Sequence, residues 1–149
     1  MGQENKLYQY ALRVLARREY SVFELRQKLQ TKTEEAQAID ALLLFLQNKN
    51  YLSDARFAES YITMRMMRGF GPVRIAIELR ERGVAEELIA QKLAERESDW
   101  VLQVKQVHKK KFRGVAPSDL QERAKQIHFL QYRGFDFKHI NMVLDDADE

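Results

Sequence analysis

Cysteine is absent from the 149 residues of this chain, and proline and glycine are scarce, with two and six residues. Without cysteine, a disulfide framework, a thiolate zinc site and a cysteine nucleophile are all excluded. No apolar run approaches the roughly 18 residues that a membrane span needs, and the first residues lack the apolar region of a secretory signal. We therefore expect a cytoplasmic protein that makes no membrane contact.

The long stretches between the few prolines and glycines carry leucine, isoleucine, alanine and methionine at three- and four-residue spacing. This is the period of an α-helix, and no alternating run of β-branched residues competes with it. The sequence therefore predicts an all-α protein. The predicted helices cover residues 5–18, 21–31, 34–48, 54–68, 72–82, 85–96, 99–113, 118–133 and 137–147.

One helix-turn-helix pattern occurs three times, with an arginine and then an aromatic residue at Arg18–Tyr20, Arg68–Phe70 and Arg133–Phe135. A leucine follows nine residues after each aromatic residue, at Leu29, Leu79 and Leu144. Each unit would contain about 40–50 residues, which is near the lower size limit for a domain that folds alone. Neighbouring units must therefore share apolar surface. We predict an elongated, curved array of tandem three-helix units, somewhat mobile at its joints, with boundaries at 1–50, 51–97 and 98–149.

Helix-start signals support the repeats. Ser21 and Glu24 form a capping box. Pro72 is expected at the first position of a helix, where a backbone N–H would have no acceptor within the helix and its absence costs nothing. The aromatic residue before each start is expected to pack as a hydrophobic staple, as at Phe70. The three methionines at positions 64, 66 and 67 are interpreted as helix packing.

Residues for catalysis or metal binding do not cluster. The histidines, at positions 108, 128 and 139, never share a ligand spacing on one helix, and His108 is expected at the edge of packing. Gly69 and Gly71 follow no strand and precede no Gly-Lys-Ser/Thr motif, so a phosphate-binding loop is not supported. We expect neither an enzyme nor a bound metal or cofactor.

Basic residues are the most informative feature. One acid-free cluster has Lys105, Lys109 and Arg113 at four-residue intervals, which predicts a positive stripe along one helix, and it also includes Lys110 and Lys111. A second cluster brackets the middle hairpin and contains Arg65, Arg68, Arg74 and Arg80. Such clusters bind phosphate or carboxylate groups in some proteins and are solvated helix faces in others. Both interpretations stay open at this point.

Several motifs together resemble the bacterial RecX recombination regulators. They are the segment 50–58, which reads Asn-Tyr-Leu-Ser-Asp-Ala-Arg-Phe-Ala, the segment 68–75, which reads Arg-Gly-Phe-Gly-Pro-Val-Arg-Ile, and the segment 129–135, which reads Phe-Leu-Gln-Tyr-Arg-Gly-Phe. The resemblance covers nearly the whole chain. Two positions depart from the pattern: Asn50 replaces a usual glycine, and Ala85 is a poor helix cap.

The resemblance implies a non-enzymatic negative regulator of RecA, the recombinase that polymerises on single-stranded DNA. Such regulators bind the RecA–DNA filament and inhibit its ATPase, strand exchange and LexA coprotease activities, by lying in the filament groove or by capping its end. We expect the nine basic residues of the two clusters to contact RecA or DNA. We also expect a monomer with only weak, non-specific affinity for nucleic acid.

An alternative is a DNA-binding protein of helix-turn-helix type that acts without RecA. The helices beginning at Pro72 and Phe137 would then enter a major groove. These helices lack the density of arginine, asparagine and glutamine that base reading requires. The RecA regulator is therefore the preferred interpretation.

Overall fold

A computed structural model describes residues 2–147, which form nine α-helices and no β-strand. The helices are α1 (Gly2–Arg17), α2 (Val22–Gln30), α3 (Ala36–Asn48), α4 (Asp54–Met67), α5 (Pro72–Glu81), α6 (Glu86–Ala94), α7 (Glu97–Phe112), α8 (Leu120–Tyr132) and α9 (Phe137–Ala147). The predicted all-α architecture is confirmed, with helix ends that differ from the predicted ones by no more than three residues. Asp148 and Glu149, the end of the acidic C-terminal segment, lie outside the described residues.

The helices pack as three consecutive groups, each around its own apolar core. We refer to α1–α3, α4–α6 and α7–α9 as domains 1, 2 and 3. The repeated leucines Leu29, Leu79 and Leu144 are fully buried, one in each core. The tandem three-helix array is therefore confirmed, whereas the boundaries 1–50, 51–97 and 98–149 stay predictions.

The predicted helix starts are formed. Ser21 and Glu24 make a reciprocal capping box at α2, and Pro72 is the first residue of α5. Asn50 adopts a left-handed backbone with φ 61°, which asparagine tolerates better than most residues, and Ala85 gives α6 no side-chain cap. Local sequence signals therefore mark the starts of α2 and α5, whereas α6 begins without a side-chain cap.

Helix α7 belongs to two cores at once. Its first turn carries Trp100, which is 1% exposed in the core of domain 2 and donates its indole N–H to the carbonyl of Leu93 at 3.0 Å. One turn later, Val104 and Val107 lie in the core of domain 3. A single helix thus links the two domains without a flexible connection.

The start of α2 links domains 1 and 2. The buried Ser21 hydroxyl accepts from the Glu24 amide at 3.0 Å and donates to the Arg82 carbonyl in domain 2 at 2.8 Å. The Val22 amide donates to the Asp54 carboxylate at the start of α4, also at 2.8 Å. The capping residue of one domain therefore also caps a carbonyl of the next.

Three expectations about individual side chains are wrong. Met64 and Met67 are exposed, because only Met66 of the three methionines points toward the core of domain 2. His108 is not at the edge of packing: it is buried, with its Nε2 atom 2.8 Å from the Gln126 side-chain oxygen. Arg113 lies beyond the end of α7, in a left-handed conformation with φ 58°.

Replacing Ser21 by alanine should lower the free energy of unfolding by about 1–3 kcal/mol, because it removes a helix cap and leaves the Arg82 carbonyl unsatisfied at the domain junction. Ser53→Ala is the matched control, since Ser53 caps α4 through the Arg56 amide and its side chain makes no hydrogen bond to another domain in the described part of the chain. This variant should lose only about 1 kcal/mol. Equal losses in chemical denaturation would contradict a role for Ser21 in joining the domains.

Candidate functional site

The N-terminus of α5 meets the C-terminus of α8. Gly71 has no side chain with which to cap α5, and its amide donates instead to the Arg133 carbonyl at 2.8 Å. The Val73 amide donates to the Gly134 carbonyl at 2.9 Å. Free N–H groups of one helix end thus pair with free carbonyls of another, which orients the two helix dipoles favourably. We call these two hydrogen bonds the turn clasp.

Two glycines allow this close approach. A Cβ atom on Gly71 would lie 2.5 Å from the Gly134 carbonyl oxygen, although the φ of Gly71, −98°, is open to any residue. Gly134 has a φ of +98°, and a Cβ atom there would overlap the side chain of Arg74. Gly71 is therefore required by contact, and Gly134 by contact and conformation together.

Domain 3 also caps the end of α4 in domain 2. The Gln103 side-chain amide donates to the Met66 carbonyl at 2.7 Å. The Arg133 guanidinium donates to the Arg68 carbonyl at 3.3 Å. Carbonyls at the C-terminus of α4 are thus satisfied by side chains from α7 and from the turn after α8.

A groove of about 520 Å³ opens beside these contacts, and we call it the cationic groove. Both domains contribute to it, and its lining residues are Met67, Arg68, Gly69, Gln103, Gln106, Val107, Lys110, Lys111, Phe129 and Arg133. Four of these side chains carry a positive charge, and the described part of the chain contributes no carboxylate to the lining. The groove therefore has the chemistry of a site for phosphate or carboxylate groups.

The four cations differ in how firmly they are held. The Arg133 guanidinium lies over the rings of Phe70 and Phe129, at 5.4 and 5.3 Å from their centroids. The Lys111 ammonium lies 5.3 Å from the Phe129 centroid. Within residues 2–147, no carboxylate forms an ion pair with Arg68, Lys110, Lys111 or Arg133. Their charges are available to an anion.

Arg65 and Arg74, two of the predicted contact residues, have a different environment. Both pair with Glu78: Arg65 makes two hydrogen bonds to its carboxylate, at 2.8 and 2.9 Å, and Arg74 makes one at 3.4 Å. Both guanidiniums also stack on Phe70, at 4.0 and 4.4 Å from the ring centroid. Phe70 is accordingly half-buried, at the edge of the domain 2 core, and serves as a platform for arginines.

The Glu78 carboxylate is the anionic centre of this arrangement. Burial by itself raises its pKa, but hydrogen bonds from Arg65 and from the Tyr61 hydroxyl outweigh that effect, and the pKa lies below its ordinary value. Burial and the hydrogen bond to Glu78 raise the pKa of Tyr61 to about 12. Tyr61 therefore stays a neutral donor and Glu78 an ionised acceptor near neutral pH.

The other predicted contact residues fall into three groups. Arg80 forms an ion pair with Glu86 on the surface of domain 2. Lys105 and Lys109 are exposed on α7 but do not line the cationic groove. The predicted helical stripe through Arg113 is not formed, because α7 ends at Phe112. Of the nine predicted residues, the groove contains Arg68, Lys110 and Lys111.

Sequence reasoning missed Arg133 as a candidate site residue. Arg133 occupies the same position in its turn as Arg68 does in the middle repeat, since both precede a glycine and an aromatic residue. The repeat itself was therefore the signal that could have identified it. Gln103 and Phe129 offered no comparable signal, because their positions depend on how α7 and α8 pack.

The described residues contain neither a metal-binding cluster nor a membrane-spanning helix. Among residues 2–147, no group of three or more histidine, aspartate or glutamate side chains could hold a metal ion. In the same range, no helix combines the length and the apolar character that crossing a membrane requires.

Models of three protein domains match consecutive parts of this chain. They are described as the first, second and third three-helix domains of RecX, and they match residues 8–46, 53–93 and 97–144. Together the matches cover most of the sequence. The chain belongs to the RecX family.

Individual RecX proteins agree with this assignment. Regulatory protein RecX of Vibrio parahaemolyticus serotype O3:K6 is 41% identical over 139 residues, which are 93% of this chain and 90% of that protein. Regulatory protein RecX of Halorhodospira halophila is also 41% identical, over 93% of this chain and 86% of that protein. The predicted resemblance is confirmed, and a RecX regulatory role follows from it.

The fold of solved RecX structures agrees as well. The crystal structure of RecX from Lactobacillus salivarius superimposes with a TM-score of 0.86 and covers 99% of this chain, at 20% identity. A second crystal structure of regulatory protein RecX gives a TM-score of 0.80 over 97% of this chain. RecX regulatory proteins are not known as an enzyme family.

Glu78→Gln should lower the free energy of unfolding by about 1–3 kcal/mol at pH 7, because Arg65 and Arg74 lose their shared anionic partner. The low pKa of Glu78 means that its stabilisation is complete above the unfolded-state pKa of about 4.3 and is lost as pH falls through the folded-state value. The free energy of unfolding of the wild-type chain should therefore decline more steeply below about pH 5 than that of the variant.

Denaturant unfolding at a series of pH values measures this difference. Glu81→Gln is the matched control, since Glu81 is exposed on the same helix and pairs with no basic residue in the range 2–147. Its pH profile should follow the wild-type profile. Identical pH profiles for the wild type and Glu78→Gln would contradict the assigned role.

Proposed function

We propose that this chain is a negative regulator of RecA that binds the RecA–DNA nucleoprotein filament and inhibits its ATPase, strand exchange and coprotease activities. Membership of the RecX family supports a regulatory role. The observation that carries the proposal further is the cationic groove, where four positive charges from two domains converge and, among residues 2–147, meet neither an ion-pair partner nor a lining carboxylate. A filament that contains DNA offers the matching negative charge.

The contact residues of the proposed interface differ from the nine basic residues that were selected from the sequence. Arg68, Lys110, Lys111 and Arg133 are the proposed groove contacts with DNA phosphate or acidic RecA side chains. Arg65 and Arg74 act indirectly, since Glu78 and Phe70 hold them beside the turn clasp. We keep Arg80, Lys105, Lys109 and Arg113 as peripheral contacts, which a surface that extends over successive filament subunits would include.

A helix-turn-helix protein that acts on DNA without RecA has less support. In that class, the N-terminal residues of the recognition helix reach base edges in the major groove. The N-terminus of α5 is occupied by the carbonyls of Arg133 and Gly134. The alternative recognition helix α9 is preceded by Asp136, whose carboxylate accepts from the His139 amide in the first turn and would repel a DNA phosphate.

The proposal includes a cytoplasmic location, a monomeric chain and weak non-specific affinity for nucleic acid. The last point follows from the small number of charges in the groove. Four phosphate contacts give a modest, strongly salt-dependent affinity for naked single strands. Tight binding would then need protein contacts on the filament in addition.

Reversing the charge of Lys110 and Lys111 to glutamate should raise the concentration needed to inhibit the single-stranded-DNA-dependent RecA ATPase by about tenfold or more, and should flatten its dependence on salt. Both side chains are exposed, so the helical circular dichroism should not change. Lys28→Glu with Lys49→Glu is the matched control, because it makes the same charge change in domain 1. Inhibition that is equal in both double variants would contradict the assignment of the groove.

A further inference from the structure

The outer face of α4 is apolar where a solvated helix would be polar. Met67 is 81% exposed and Met64 is 40% exposed. Because they are three residues apart on one helix, their side chains are neighbours. Single exposed apolar residues are common on protein surfaces, whereas two adjacent flexible thioethers form a patch that can adapt its shape to a partner.

These methionines line a shallow groove of about 820 Å³ between domains 1 and 2. We call it the methionine surface, and its lining residues are Glu19, Arg56, Glu59, Ser60, Thr63, Met64, Met67 and Arg68. Met67 and Arg68 also line the cationic groove. The two grooves are therefore continuous, and they meet at the C-terminal end of α4.

The charges of the methionine surface indicate what it can accept. Its two carboxylates are already paired. The Glu19 Oε1 atom lies 3.0 Å from Arg56 Nε, and the Glu59 Oε1 atom lies 2.5 Å from Lys92 Nζ. Arg68 is the charged lining residue that forms no ion pair within residues 2–147. A complementary ligand presents an apolar side chain to the methionines and a carboxylate to Arg68.

We propose that the methionine surface docks a protein segment that carries an apolar side chain beside a carboxylate. This inference rests on the proposed function, because the segment would belong to the protein component of the nucleoprotein filament. The continuity of the two grooves then divides the interface into two parts: the methionines contact protein, and the cationic groove contacts negative charge. Protein contact of this kind supplies affinity that the few phosphate contacts lack.

A protein segment fits the methionine surface better than nucleic acid does. A thioether sulfur is a weak acceptor and donates no hydrogen bond to a phosphate. Burial of two methionine side chains against apolar groups releases water and is insensitive to salt. Phosphate contacts, in contrast, weaken steeply as salt rises. The salt dependence of binding therefore distinguishes the two kinds of partner.

The test compares the wild-type chain with the variant Met64→Gln, because Met64 lines the methionine surface and is not among the lining residues of the cationic groove. Glutamine has nearly the length and helix propensity of methionine, so α4 should remain folded. Binding to RecA filaments on single-stranded DNA is measured at several salt concentrations, together with binding to the naked strand. The variant should bind filaments about threefold or more weakly, with an unchanged salt slope and unchanged affinity for the naked strand.

The matched control is Leu44→Gln, which removes one exposed apolar residue from α3 in domain 1. The control should bind filaments as the wild type does. Filament affinity that is equal in wild type and the methionine variant would overturn the docking surface alone. An equal loss for filaments and naked strands would overturn it in favour of a nucleic-acid contact. A wild-type chain that binds no filament would overturn the docking surface and the proposed function together.

Discussion

The turn clasp is the constraint on which the rest of the site depends. Two backbone N–H groups at the start of α5 reach the carbonyls that end α8, and two glycines leave room for this contact. Because neither amide has another partner among the described residues of its own domain, the two helix ends stabilise each other. The contact also places the Arg133 guanidinium beside the end of α4, and it brings domains 2 and 3 together at the walls of one groove.

In the middle repeat, the aromatic residue at the hydrophobic-staple position has a different role from its counterparts in the other two repeats. Tyr20 and Phe135 are buried in their own cores, whereas Phe70 is half-buried and carries three guanidiniums on its ring. Glu78 neutralises two of these arginines and leaves Arg133 facing the groove. The arginine-rich sequence of this repeat therefore combines two tasks: an internal network that fixes geometry, and a smaller set of free charges that a ligand can reach.

Short-range signals made the fold predictable. The capping box at Ser21, the proline that begins α5 and the leucine nine residues after each aromatic residue all act within one or two helical turns. The site was less predictable, because the positions of basic residues in the sequence do not show which arginines pair with Glu78 and which face the cationic groove. Mobility at the joints was expected from the small size of the units, but Trp100 in the core of domain 2 and the turn clasp lead us to expect a fixed joint between domains 2 and 3.

The distance between domains 2 and 3 tests this account most directly. The chain has no native cysteine, so spin labels can be attached at Glu87→Cys and Asn141→Cys, two exposed positions on α6 and α9. Pulsed electron paramagnetic resonance should then give one narrow distance distribution for the otherwise unchanged chain. Adding Gly71→Ala should broaden or shift it while each helical core remains folded. A broad distribution before this change, or the same narrow distribution after it, would contradict the central claim.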